Sequence, residues 1–525
     1  MKNRLLIFLC LSFLGLSVFA QNLSNDYKII HVGKQVKDIG YENPCVSPLE
    51  NYVARMHLWI EGKYDTIYTE LIAAKPQSSK QPYTQKAAEL LLNSEIEQVI
   101  TYKDSIGLVF RKEPGTPDVY LIGFSQLENG KWLGSAEGLC DAENPPKIKQ
   151  YIENNSVMFL NGLRQYYRQK VVSTDTIAFI NYLTQYGKNP KTYLLEKLSE
   201  YPLVIYGEFH KRQISWIFLK SLIHEPDFVK NCGTVFMELS HFSQPLFDEF
   251  LQNNVLDTAL ILKILGDDDI YGWQDKGMYE FIQEVWKINQ HTNNKIKIIP
   301  ADFHDNWNNI QTRDDYVSFT RRDRDSTMAE IVYSYLQNKS DDRNCLFIIG
   351  QGHAQKSSPS IRITAGTLLK QLTENNPQMR IIATNSHSMK NDNHNWLGKV
   401  RYGLFDYVFE KTGNTPIAFD LKNSLFGKEP YDDGLVFGYL YGNYEDFYDG
   451  YIFLCPLKEE PYDYELKELY TDDFVEEMKR RANITNQKDV FGIPVDSVTK
   501  EKIHDILDSN KQKSNNKRFQ IPDNQ

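Results

Sequence analysis

The chain has 525 residues, of which 24% are charged and 41% hydrophobic. These are the proportions of a folded soluble protein too long for one ordinary core, so two or three domains are expected. Aromatic residues at 13% argue against disorder, and a formal charge of -10 excludes a general nucleic-acid binder, which needs a basic face to displace counterions.

Lys2 and Arg4 precede an almost wholly apolar run from Leu5 to Phe19, and Val18-Phe19-Ala20 places small residues where a signal peptidase reads. Residues 1–20 are therefore read as a secretory signal, too short for a good membrane span. Its removal leaves a charge of about -12. No later segment is apolar over a membrane-spanning length, so the expectation is an exported protein, periplasmic or secreted, with no membrane span. Cys10 has no lipidation context. Cys45, Cys140, Cys232, Cys345 and Cys455 are odd in number and far apart, which is not a disulfide scaffold, although a Cys45–Cys140 bridge stays open. No C-x-x-C offers a thiolate zinc site.

Residues 21–165 read as an α+β accessory domain. Glu97–Thr101, Ser105–Arg111 and Asp118–Ser125 are short β-prone runs divided by turn residues, and Thr84–Leu92 reads as a helix. No cluster of histidines or carboxylates stands out there. Residues 170–395 change character. Mostly apolar runs recur at Leu203–Tyr206, Thr234–Met237, Ile296–Ile299, Leu346–Ile349 and Ile381–Thr384, as in strands buried on both faces. Helical spacing lies between them over Gln213–Ile223, Met278–Asn289, Ser326–Leu336 and Thr367–Leu372. Strand alternating with helix predicts an α/β domain, a mostly parallel sheet flanked by helices. Residues 396–490 are aromatic and Gly-rich and read as an extension packing on that domain. Residues 500–525 read as a frayed polar tail.

The chemistry gathers directly after the strands. Gly207-Glu208-Phe209-His210 follows the first, Glu238 and His241 the second, and Pro300-Ala301-Asp302-Phe303-His304 the third. Gly350-Gln351-Gly352-His353 and Asn385-Ser386-His387 follow the last two. In an open parallel sheet these positions share the carboxyl edge, where ligands bind. Any one histidine there can be a mere cap or turn residue, but the joint pattern points to a site. Asp323-Arg324-Asp325-Ser326 opens a helix. Its acids suit capping and the helix dipole, and Arg324 suits an anion or carbonyl clamp. A nucleophile elbow, an H-E-x-x-H motif, a phosphate-binding P-loop and a dinucleotide fingerprint are all missing from the sequence.

These motifs resemble the superfamily that joins erythromycin-esterase-like proteins, ChaN-type haem-binding lipoproteins and Tiki metalloproteases. The resemblance rests on Gly207-Glu208-Phe209-His210, Met237-Glu238, Pro300-Ala301-Asp302, Arg324-Asp325 with Met328-Ala329-Glu330, and Gly350-Gln351-Gly352-His353. It runs from Tyr201 to His387 and leaves residues 21–165 and the aromatic C-terminal stretch unaccounted for. The first motif has the G-E-x-H spacing of the ChaN type, whereas erythromycin esterases carry one residue more between Glu and His.

The resemblance implies an esterase that activates water with histidine and glutamates, a metal-dependent peptidase, or a haem binder. The favoured expectation is a hydrolase acting on a small-molecule or peptide substrate. His210 is then the general base, oriented by Glu208 and Glu238, and His353 protonates the leaving group. Arg324 stabilises the oxyanion, a role commonly worth about 3 kcal/mol. Asp302, His304 and Asp325 are second choices. Were a divalent metal required, His210, Glu238 and His353 would hold it. In the haem alternative, the Tyr439, Tyr441, Tyr444 and Tyr448 run would line the ligand.

Overall fold

The structure, a computed structural model, describes residues 27–73, 84–114, 120–140, 175–357, 363–374, 381–386, 390–391, 397–398, 400–429, 431, 443–456, 459–461 and 465–518. The expected signal segment, His387, Tyr439 and Tyr441 lie outside the described residues. The chain divides into two compact units, Met1–Thr174 and Asp175–Gln525.

The first unit is a five-stranded antiparallel meander of β1 (Tyr27–Gln35), β2 (Glu95–Tyr102), β3 (Ile106–Lys112), β4 (Tyr120–Glu128) and β5 (Lys131–Cys140). Its helix α1 (Pro48–Ile60) starts where Ser47 accepts the Glu50 N–H and Pro48 takes the first helical position. Tyr52, Val53 and Met56 on α1 pack against Ile96, Val99 and Val109 of the sheet. The helix predicted over Thr84–Leu92 is present as α2 (Gln85–Leu92), capped by Thr84. Cys45 is a free thiol whose sulfur contacts the Glu70 carbonyl, so the Cys45–Cys140 bridge is not formed.

The second unit is built on a seven-stranded sheet. Its strands are β6 (Leu203–Glu208), β7 (Cys232–Ser240), β8 (Lys297–Asp302), β9 (Asn344–Gly350), β10 (Ile381–Ser386), β11 (Ile417–Asp420) and β12 (Gly450–Phe453). The order across the sheet is β11-β12-β10-β6-β9-β7-β8, parallel throughout except for the β11–β12 pair. β6 and β7 are buried along their whole length and β9 nearly so, as their unbroken apolar runs require. Pro300, which cannot donate to a ladder, is tolerated because β8 is an edge strand. The helices α3 (Gln213–Ile223), α4 (Lys276–His291), α5 (Arg324–Asn338) and α6 (Ala365–Thr373) lie where the spacing predicts them, give or take two residues.

Two differences from expectation concern the C-terminal third. The 396–490 stretch does more than pack on the α/β unit, because β11 and β12 extend its sheet. It also supplies α7 (Asp472–Thr485), whose Val475, Met478 and Ala482 enter the main core. The expected frayed tail is instead helical over α8 (Lys500–Arg518), anchored by buried Ile503 and Leu507 in a mostly polar sequence. Among the described residues no helix is long and apolar enough to cross a membrane.

Candidate functional site

The parallel strands bring their carboxyl ends together, and the register fixes which residues meet. Glu208 at the end of β6 lies opposite Gly350 at the end of β9. Between Met237 and Ser240 the β7–β8 ladder slips by one residue, a bulge that falls on Glu238 and Leu239. A bulge re-aims a side chain next to a site. Here it puts the buried Glu238 carboxylate between the two histidines. One oxygen accepts the Gly350 N–H at 2.6 Å and lies 3.9 Å from His210 Nε2, while the other lies 3.6 Å from His353 Nε2.

Each of these histidines is backed on its Nδ1 by a second buried carboxylate. Glu208 holds His210, and Asp325 holds His353 at 2.6 Å. Asp325 is fixed in turn by the Ala365 N–H at 2.8 Å. It is free for this task because Asp323 caps α5, accepting the Ser326 N–H. Arg324, first in the helix, turns the other way. Its Nη2 donates to Glu238 at 2.8 Å and its Nε to both oxygens of Asp302 at 3.0 Å. Asp302 also accepts from its neighbour Phe303 N–H and pairs with His304 Nε2 at 2.9 Å, and Asp268 Oδ1 lies 3.5 Å from the same nitrogen. The line of charge thus runs from Glu208 through His210, Glu238, Arg324, Asp302 and His304 to Asp268.

Burial works against a charged His210 ring, but the Glu208 carboxylate outweighs it, with Glu238 and Asp275 behind, and lifts the imidazole to about 10. His304 is similarly raised to about 9 against its burial, by Asp268 and Asp302. For Asp302 burial is likewise overridden, and the His304 and Arg324 charges hold it well below the usual carboxylate range. Asp268 and Asp275 are both pushed up to about 6, chiefly by burial, with Asp302 adding to the first and Glu208 to the second.

A cavity of about 340 Å³ opens among these groups. Its lining includes His210, Glu238, His304, Arg324 and His353, together with residues 268–269 and 271–275. Trp273 meets the His210 ring edge-on, with centroids 5.0 Å apart. Of the sequence-predicted residues, Glu208, Asp302 and Asp325 stand behind that lining, each bonded to a residue in it. His241 stands apart from it, bonded to the Asp302 carbonyl and stacked on Phe303. The 267–275 loop, with Asp268 and Trp273, was not singled out from the sequence, because it follows no strand and carries no histidine. Tyr444 and Tyr448 are core residues in an aromatic cluster with Tyr431. The Tyr448 hydroxyl donates to the Gln351 carbonyl, two residues before His353.

Neither implied group fits this donor set. Among the described residues no three His, Cys, Asp or Glu side chains are placed to hold a metal ion. The Glu238 and Asp302 carboxylates already share the Arg324 cation, which would repel a divalent ion. For haem, Trp273 meets the His210 ring, but the cavity it opens on is also lined by the charged Glu238, Asp268, Asp269 and Arg324, which do not suit an apolar macrocycle.

No protein-family model and no curated protein matches this chain. Solved structures similar to it include ChaN of Campylobacter jejuni, described as binding haem cofacially. That match has 16% identity over 38% of this chain and 90% of that one, with a TM-score of 0.27. A mutant of the erythromycin esterase EreC in its open conformation is 11% identical over 50% of this chain and 92% of that one, with a TM-score of 0.36. A succinoglycan biosynthesis protein is 9% identical over 54% and 98%, with a TM-score of 0.39. The ChaN and erythromycin-esterase types named from the sequence motifs are therefore both represented among the similar structures.

Proposed function

We propose that this chain is an exported hydrolase that directs water at an ester or amide bond of a small molecule or peptide. One observation carries the reading: two histidines, each backed by its own carboxylate, face a single shared glutamate in one cavity beside an arginine. That pairing suits acid–base catalysis on water, and the Arg324 cation bonded to the shared glutamate disfavours a divalent ion between the two rings.

The arrangement suggests an exchange of the expected roles. Glu208 keeps His210 protonated at neutral pH, so His210 starts as the acid and delivers a proton to the leaving group. His353 takes the base's part. With Asp325 on Nδ1, its Nε2 is the atom that accepts the proton of an attacking water, and Glu238, 3.6 Å from that nitrogen, orients the water. Arg324 spends Nε and Nη2 on Asp302 and Glu238, which fixes the guanidinium. Its Nη1 edge then meets the oxyanion that develops on the carbonyl. Collapse of that intermediate breaks the bond to the leaving group as His210 gives up its proton, and solvent restores both rings.

The test is the pH dependence of kcat/KM on a panel of p-nitrophenyl esters and peptide anilides. The reading predicts a bell whose alkaline limb reports His210, near 10. Glu208→Gln should move that limb toward neutrality. A profile with no alkaline limb, or one that Glu208→Gln leaves in place, sinks the assignment. A purified sample with a Soret band supports haem binding instead.

A further inference from the structure

More than half of the residues lining the cavity come from one segment without helix or strand, residues 267–275 before α4. Asp268, Asp269, Tyr271 and Trp273 present acids and aromatic rings to the space around His210, yet none is among the groups proposed to react. At its start the Asp267 N–H closes on the Lys263 carbonyl at 3.0 Å. Further along, the Gly272 N–H reaches the Asp269 carbonyl at 3.3 Å and the Trp273 N–H the Leu265 carbonyl at 2.7 Å. Asp275 forms an isolated antiparallel bridge with Glu465, and the Asp268 side chain accepts the Ser240 N–H at 3.0 Å.

The outer side of the segment is held by the C-terminal stretch. Arg481 on α7 is buried, and its Nη1 bridges the carbonyls of Gly266 and Asp269 at 2.7 and 2.6 Å, while Nε is anchored on Glu477 at 2.8 Å. The Tyr470 hydroxyl lies 3.3 Å from the Tyr271 carbonyl and 3.1 Å from Gln274 Oε1, and donates to one of them. Gly272, at φ +68°, lies against Phe474 and Leu469, where a Cβ would stand 3.0 and 3.1 Å from them. A buried guanidinium that joins the Gly266 carbonyl at the preceding helix end to the Asp269 carbonyl ties this irregular backbone to α7.

We propose that residues 267–275 are the wall that selects the substrate of the hydrolase proposed above, a reading on which this inference rests, and that Arg481 is the residue that positions it. The aromatic and acidic lining suits a substrate with an apolar face and hydrogen-bond donors beside the scissile bond. Arg481 touches no reacting atom, so its loss alters binding rather than the chemical step.

Protein labelled with 5-fluorotryptophan gives a fluorine line for each of its seven Trp residues, and Trp273→Phe assigns one of them. Arg481→Lys keeps the charge but cannot hold the two carbonyls from one nitrogen and Glu477 from another. Tyr470→Phe removes a single hydroxyl at constant volume and serves if the first variant folds poorly. Both should shift or split the Trp273 line while the lines of Trp59, Trp132 and Trp286 stay. Both should also lower kcat/KM for p-nitrophenyl butyrate against p-nitrophenyl acetate by about tenfold, the worth of a methylene or two in a shaped pocket, through KM with kcat little changed. A Trp273 line unmoved in both variants overturns the proposal, and so does an unchanged butyrate-to-acetate ratio with a moved line. Wild-type protein inactive on both esters counts against the hydrolase reading and not against the positioning, which the fluorine line decides by itself.

Discussion

Gly350 is where a single methyl group should separate catalysis from folding. Its backbone sits at φ -53° and ψ 132°, which alanine adopts without strain. What alanine lacks is room: the added Cβ would stand 2.9 Å from both Cε1 and Nε2 of His210 and 3.1 Å from Glu238 Oε2. Unbonded heavy atoms settle at about 3.5–4.0 Å, so the ring has to retreat by roughly 0.5–1 Å. It is tethered on the far side by Glu208, so the retreat turns Nε2 away from the cavity. A displacement of that size costs about 100-fold in rate when geometry is set for reaction. The fold should lose only about 1 kcal/mol, the low end for overpacking, because the ring is half-buried and can yield. Gly350→Ala should therefore lower kcat about 100-fold with a small fall in Tm. Gly352→Ala is the control, since nothing lies within 4 Å of its added Cβ and both quantities should hold. Wild-type kcat in Gly350→Ala, or a loss no larger than the loss of folded protein, refutes the reasoning.

Other outcomes follow from the same geometry. Arg324→Lys cannot span Glu238 and Asp302 with a point charge, and kcat should fall about 100- to 1000-fold while KM changes little. The His210 pair with Glu208 also links to stability. The imidazole is raised from its ordinary 6.5 to about 10, so its contribution is present in full below about pH 6.5 and is lost as pH rises through about 10. The Tm gap between wild type and Glu208→Gln, followed by calorimetry from pH 7 to 11, should close over that window, and a constant gap contradicts the pairing. Treatment with EDTA should leave turnover unchanged, because Arg324 already neutralises the carboxylates that would take a metal. Activity lost in chelator and restored by zinc would show that the donor set has been misread.

Much of the second unit could be read from its sequence, for a reason that also explains what could not. β6, β7 and β9 are buried on both faces, so their apolar runs are unbroken and their ends abrupt. The polar residues after them are then confined to one edge of the sheet. That logic reached Glu208, His210, Glu238, Asp302, His304 and His353 without any structure. It also offered Asp323 or Asp325 as the helix cap and kept Asp325 as a second choice for the site; Asp323 takes the cap and Asp325 backs His353. The logic is blind to what folds back from elsewhere. Residues 267–275 have no periodicity, and the groups that tie them down beside the cavity include Tyr470 and Arg481, some two hundred residues later in the chain. β11 and β12 are four residues each, short enough to pass for loop in a Tyr- and Gly-rich stretch. The helix α1 was missed because the aromatic residues among its thirteen, Tyr52 and Trp59, read equally well as strand.

The account's central claim is that His210 and His353 work on one bond as acid and base across Glu238. It is tested most directly by turnover and Tm measured together on His210→Ala, His353→Ala and the double variant. Each single change should reduce kcat by about 100- to 10,000-fold with Tm nearly unchanged, and the double change should cost little more than the worse single one. Full turnover per folded molecule in both single variants, with Tm lowered, would make them structural histidines and contradict the claim.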